Sequence, residues 1–215
     1  MTQLYFVGDP HGQWHQIYPR LACSPPGIVT IVGDMGIDHD MPWLKATQPI
    51  RDAGHKINWI PGNHDTKGEG AFDLLWWAGK AEYFHRTIVD AGSLRLAGLG
   101  GVFRKRIWNP DTNQPSRKRQ DVLQPLPNMA HWDTIFQEDV DRFRGQRADI
   151  LVTHEAPPPH RFGFAAIAKL AADLRCRHIV HGHHHETTEY VTEDGIAVKS
   201  LGLAEVWAMP MLGMK

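Results

Sequence analysis

Histidine fills four of five positions in the stretch IVHGHHHETTEY, as His181, His183, His184 and His185. With 14 histidines in 215 residues chance is one reading, and an affinity-tag remnant is another, although tags sit at termini and this run is internal. Metal is the third, because neutral imidazole is the commonest metal-binding side chain. What decides among them stands elsewhere in the chain. Asp9 and His11 follow an apolar run in VGDPHG, Asp34 follows one in IVGDMG, Asn63 and His64 lie in PGNHD, and His154 lies in VTHEAPP. Each has a Gly, Pro or small residue beside it that lets the backbone turn sharply. Asp, His and an Asn carbonyl, with no thiolate, form a mixed oxygen and nitrogen set that suits Mn²⁺, Fe or Zn²⁺ and disfavours a closed structural zinc. Asp9, His11, Asp34, Asn63, His154, His183 and His185 are more ligands than one ion needs, but they fit two if one carboxylate bridges. Paired ions about 3.5–4 Å apart can clamp an in-line displacement at phosphorus.

These residues need a scaffold that brings them together. LYFVGD, GIVTIVGD and HKINWIPGNHD read as strands, with WHQIYPRLA and MPWLKATQPIRDAG as helices between them, the second ending at Gly54. ADILVTHE and CRHIVHGHHH repeat the pattern around the amphipathic FGFAAIAKLAADLR. Strands apolar on both faces and separated by helices predict a sheet covered on both sides, and ligands in such sheets gather beyond the carboxyl ends of strands. TIVDAGSLRLAGLGGVF and TTEYVTEDGIAVKSLGLAEVWAM read as antiparallel strands, the latter turning at Asp194-Gly195. Residues 104–130 read as a basic, proline-containing surface loop, followed by a helix around HWDTIFQEDVDRFRG.

Length and composition predict one domain over residues 1–215, with 42% hydrophobic and 22% charged residues. A net charge of −1 gives no global field to recruit nucleic acid or an anionic membrane, so any attraction to an anion must be local. No apolar run approaches the roughly 18 residues of a membrane span, and MTQLYFVGDPHGQW lacks a secretory pattern. Cys23 and Cys176 form no CxxC pair and read as two free thiols of a cytoplasmic protein.

The ordered blocks GDPHG, GD, GNHD, a lone His and GHHH resemble the calcineurin-like metallophosphoesterase superfamily, whose pattern is DxH, GD, GNH(D/E), H and GHxH. The match spans residues 9 to 185. The resemblance implies an α/β fold, a four-layer αββα sandwich of two mixed sheets flanked by helices, with a dinuclear metal site at strand C-terminal ends. It implies that Asp9, His11 and His185 hold one divalent ion, that Asn63, His154 and His183 hold the second, and that Asp34 bridges them. A hydroxide between the ions would attack phosphorus, His64 would stabilise developing charge or protonate the leaving oxygen, and Asp65 would orient His64. Mn²⁺ leads the candidate metals, with Fe, Zn²⁺, Ni²⁺ or Co²⁺ as others. The implied substrate is a phosphorylated small molecule, a nucleotide or a nucleic-acid end, cleaved by a phosphodiesterase or phosphatase. GDMGID stands where the serine/threonine protein phosphatases have DRG, and the GHxH ending matches the phosphodiesterase and small-phosphatase branches.

Three other activities compete with this one. A nuclease would need a longer basic track than residues 104–119 offer. A protein phosphatase-like enzyme would share the first block. A non-catalytic scaffold would be expected to lose ligands or His64, and this chain keeps them. Arg104, Lys105 and Arg106, echoed by Arg117, Lys118 and Arg119, form either a solvated face or a flap that contacts substrate phosphate. Trp108 reads as a packing residue rather than a base-stacking one. His184 reads as an exposed side chain at the free position of GHxH, and His181 as packed within its strand. His39, His55 and His85 read as surface or loop residues, while Glu155 and His160, flanking APPP, could line the cleft.

Overall fold

The computed structural model describes residues 2–66, 71–123 and 131–210. In chain order the first half comprises β1 (Gln3–Val7), α1 (Trp14–Ala22), β2 (Gly27–Ile31), α2 (Trp43–Asp52), β3 (Lys56–Trp59) and α3 (Ala71–Gly79). β4 (Thr87–Ala91), β5 (Leu94–Leu99), β6 (Val102–Phe103), α4 (Arg119–Leu123), β7 (Thr134–Ile135) and α5 (Gln137–Asp141) follow. The chain closes with β8 (Ile150–Thr153), α6 (Ala165–Asp173), β9 (His178–His181), β10 (Thr188–Val191), β11 (Ala197–Ser200) and β12 (Val206–Ala208).

The strands build two large mixed sheets, ordered β12-β1-β2-β3 and β10-β11-β9-β8-β5-β4. Strands β1, β2 and β3 are mutually parallel, as are β5, β8, β9 and β11, while β12, β10 and β4 close edges antiparallel. Successive side chains of a strand point to opposite faces, and every inner strand uses both. In β1, Leu4 and Phe6 enter the core between the sheets, while Tyr5 and Val7 face the helices. In β8, Ile150 and Val152 face the other sheet, while Leu151 packs with Ile167, Leu170 and Ala171 of α6. Three apolar layers therefore hold four structural layers, helix–sheet–sheet–helix, as expected from the sequence. Trp14, Trp43 and Trp59 fill the layer beneath α1 and α2. Among the described residues no helix is long and apolar enough to cross a membrane.

Four local readings change. The helix expected around HWDTIFQEDVDRFRG shrinks to α5, because Thr134 and Ile135 pair with β6 and the Asp139 carboxylate takes the Phe136 N–H at 2.8 Å. The loop 104–130 is not uniformly at the surface. Ile107 and Trp108 are buried, with Trp108 edge-on to Phe103; residues 124–130 lie outside the described set. His55 is buried rather than exposed, accepting the Gly27 N–H at 3.1 Å and lying 3.0 Å from the Leu21 carbonyl. His85 is buried too, with its Nδ1 accepting the Gly100 N–H at 3.0 Å. A histidine that can satisfy backbone groups in the interior is indistinguishable in sequence from one facing water.

Candidate metal centre

The five ligand-bearing segments all leave their strands at the same end. Asp9 and His11 follow β1, Asp34 follows β2, Asn63 and His64 follow β3, His154 follows β8, and His183 and His185 follow β9. Asp9, His11, Asp34, His183 and His185 have φ between 26° and 73°. Left-handed backbone is costly for residues with a Cβ, and it persists where the surroundings over-determine it. Here it turns five side chains into one space.

Two clusters result, joined at Asp34. In one, Asp34, His11 and His185 bring ligand atoms within 4.8 Å of one another; in the other, Asp34, His154 and His183 do the same. Asp34 Oδ2 lies 3.4 Å from His11 Nε2 and 3.4 Å from His154 Nε2, which is the placement a bridging carboxylate needs. His11 Nε2 and His185 Nε2 face each other at 3.1 Å. Asn63 Oδ1 lies 3.2 Å from His154 Nε2. His154 Nδ1 sits 2.8 Å from the Val32 carbonyl, a contact that puts the proton on Nδ1 and leaves Nε2 as the ligating nitrogen. Asp9 stands behind both clusters. Its Oδ2 accepts the His183 N–H at 2.7 Å and lies 3.7 Å from His185 Nε2.

The buried Oδ1 of Asp9 has no hydrogen-bond partner. A buried carboxylate oxygen left unpaired is costly, and a cation would satisfy it. Oxygen and imidazole donors without a thiolate, in two clusters sharing a carboxylate, fit two divalent ions. The electrostatics agree. Burial pushes Asp9 up to about 7. Burial alone would also raise Asp34, but His154 and His11 hold it well below the usual carboxylate range. For His154, burial favours the neutral ring, yet Asp34 and Asp9 outweigh it and lift the group to about 10. Burial and the neighbouring His154 lower His183 to about 4.

His64 and Asp65 part company. The His64 ring is exposed at the mouth, 5.1 Å from the His11 ring, and the His64 backbone N–H donates to Asp34 Oδ1 at 2.7 Å. Asp65 is buried, and its carboxylate accepts the N–H groups of Gly62, Asp34 and Met35 at 2.7–2.9 Å. It thus clamps the loop after β2 to the loop after β3, where the sequence suggested an orienting partner for His64. Of the three basic candidates, Lys105 lines a cleft beside His183. Arg104 is engaged by Asp133 and Thr134 at 2.9 Å, and Arg106 is exposed. That same cleft takes in His184, which is half-buried rather than exposed, together with Arg161, Phe162 and Phe164. Sequence reasoning passed over these last three, although HRFGF follows directly on THEAPPP.

Fold and centre together define a phosphoester hydrolase of the metal-dependent kind. The profile described as calcineurin-like phosphoesterase matches residues 2–187, so the chain belongs to that family. An uncharacterized protein of Haemophilus influenzae is 33% identical over 213 residues, spanning 93% of this chain and 90% of that protein. A dimetal phosphatase from Danio rerio superposes with a TM-score of 0.62 at 10% identity, over 94% of this chain and 88% of its own. The phosphopantetheinyl hydrolase of Mycobacterium tuberculosis gives 0.55 at 14% identity, over 100% and 99%. At such identities the likeness is one of fold.

Proposed function

We propose that the chain, as a single cytoplasmic domain, hydrolyses phosphoesters of small molecules or nucleotides at a pair of Mn²⁺ ions. Asp9, His11 and His185 would hold one ion and Asn63, His154 and His183 the other, with Asp34 between them. What carries this reading is the sharing of Asp34 by two imidazole clusters beside the orphaned Asp9 oxygen. When bound, the pair supplies Lewis acidity at a phosphoryl oxygen and makes water acidic enough to attack near neutral pH. The chain's own contribution is positioning. Asp65 fixes two ligand loops through backbone amides, and the Val32 carbonyl fixes the ring of His154. His64, at the mouth and tied to Asp34 through its backbone, would hand a proton to the leaving oxygen, a role supported by its ring lying 5.1 Å from that of His11.

The nuclease alternative is weakened by the basic stretch itself. Arg104 and Arg119 are engaged by Asp133 and Asp139, leaving only a short run of exposed cations. The test is metal add-back. Protein stripped by chelation is expected to be inactive on a panel of phosphomonoesters, diesters and oligonucleotides, and to regain activity with Mn²⁺, Ni²⁺ or Zn²⁺. Cleavage of none of them under any metal, or cleavage indifferent to chelation, would refute the proposal.

A further inference from the structure

Beside the second cluster the fold leaves a cleft of about 580 Å³, walled by Lys105, Arg161, Phe162, Phe164, His183 and His184. His183 belongs to both, so a molecule in the cleft touches the metal centre. The walls are unusually rich in flat rings. His184 stacks on His160 with centroids 4.2 Å apart and planes at 24°, and Phe162 lies 5.5 Å from His184 at 30°. Phe162 is 55% exposed, a large apolar ring in water at the rim of a polar centre. A lone exposed phenylalanine means little, but here it continues a rack of rings. The cleft wall also holds polar groups, the half-buried ring of His184 and the exposed ammonium of Lys105. The two cations are held loosely: Lys105 by Asp111 at 3.2 Å and Arg161 by Glu186 at 3.3 Å, each among exposed groups. Exposed pairs of this kind contribute little and yield readily to a ligand. The Arg161 guanidinium already lies over Phe162, its Cζ 4.6 Å from the ring centroid.

We propose that this cleft is a subsite for the nucleoside part of a phosphoester, with the base stacked on Phe162 and its polar edge met by Lys105. Every base has a face that stacks and an edge that hydrogen-bonds, which is the combination the walls offer. Arg161 is exposed and planar, and it covers the base from outside as it now covers Phe162. The inference rests on the proposed function only for where phosphorus sits.

Binding and turnover are therefore measured separately on the full, Mn²⁺-loaded chain. Fluorescent ethenoadenosine, which carries no phosphoester, is titrated against wild type, Phe162→Ala and Phe162→Trp. Phe162→Ala is expected to weaken binding about tenfold, the scale of one lost base stack, while Phe162→Trp retains it. Adenosine should compete and ribose should not. In turnover, Phe162→Ala should raise KM for AMP about tenfold at unchanged kcat and leave ribose 5-phosphate unaffected. If Phe162→Ala binds ethenoadenosine as wild type does, or if ribose competes as well as adenosine, the subsite is wrong even where both esters are hydrolysed. If neither ester is cleaved yet binding depends on Phe162, the subsite stands and the phosphoesterase chemistry is what fails.

Discussion

His64 and Asp65 are adjacent in sequence and do different work. The His64 ring stands at the mouth of the centre, while both oxygens of Asp65 are spent on backbone amides that fix the loops bearing Asp34 and Asn63. Their variants should separate accordingly. His64→Ala is expected to keep full metal content by elemental analysis and lose about 10²–10⁴-fold in kcat, the usual contribution of a placed proton donor. Asp65→Asn turns an NH₂ group toward at least one amide donor, leaving it buried and unpaired. It should lower stability to denaturant by about 1–3 kcal/mol and reduce bound metal at the same time. Equal metal loss in both variants would mean that His64 is structural. The roles Asp65 plays were not legible beforehand, because GNHD records a carboxylate next to an imidazole and says nothing of which amides fold back onto it.

Single elements were legible wherever one periodic pattern acted alone. The inner strands could be read because burial on both faces makes them continuously apolar, and Gly54 at the end of α2 marked its stop. Where tertiary pairing competed, the pattern misled: WDTIF has helix-like spacing, yet β6 recruits Thr134 and Ile135 into a short parallel ladder. The turn after β9 shows what the seven site residues required besides their own side chains. A Cβ on Gly182 would stand 2.5 Å from Asp9 Oδ1 and 2.9 Å from Oδ2, and 2.8 Å from Val32 Cγ2. No left-handed backbone is at stake there, so the glycine is kept for space alone. Gly182→Ala must displace the Asp9 carboxylate or the loop carrying His183. It is expected to weaken Mn²⁺ binding about 10–100-fold in competition with a fluorescent chelator, the range seen when support around a ligand is disturbed. A variant that binds Mn²⁺ as tightly as wild type would show that Asp9 does not need its present position.

Across the whole molecule, protons and metal contend for the same atoms. The net charge of −1 conceals a centre where folding withdraws Asp9, Asp34 and the His154 ring from water. Burial brings Asp9 to about 7, its carboxylate neighbours bring His154 to about 10, and Asp34 lifts His11 above its ordinary value, so acid favours a proton on each in the metal-free protein. Cations need all three as lone-pair donors, so their binding releases protons, more of them in acid than above pH 7. Affinity should therefore rise with pH, more steeply below pH 7 than above it. The metal-free fold runs the other way. A carboxyl raised from 3.8 to about 7 by folding stabilises the folded state below pH 4, and that contribution disappears as pH climbs through 7. Asp34, held low, keeps its contribution above pH 4 and loses it only in more acid solution, outside this window. Thermal unfolding with chelator and with a fixed excess of Mn²⁺, from pH 5.5 to 8, should show a metal-induced rise in Tm that grows with pH. A rise that stays flat or shrinks over that range would mean Asp9 and His154 do not surrender protons to the metal, and that the ions bind elsewhere.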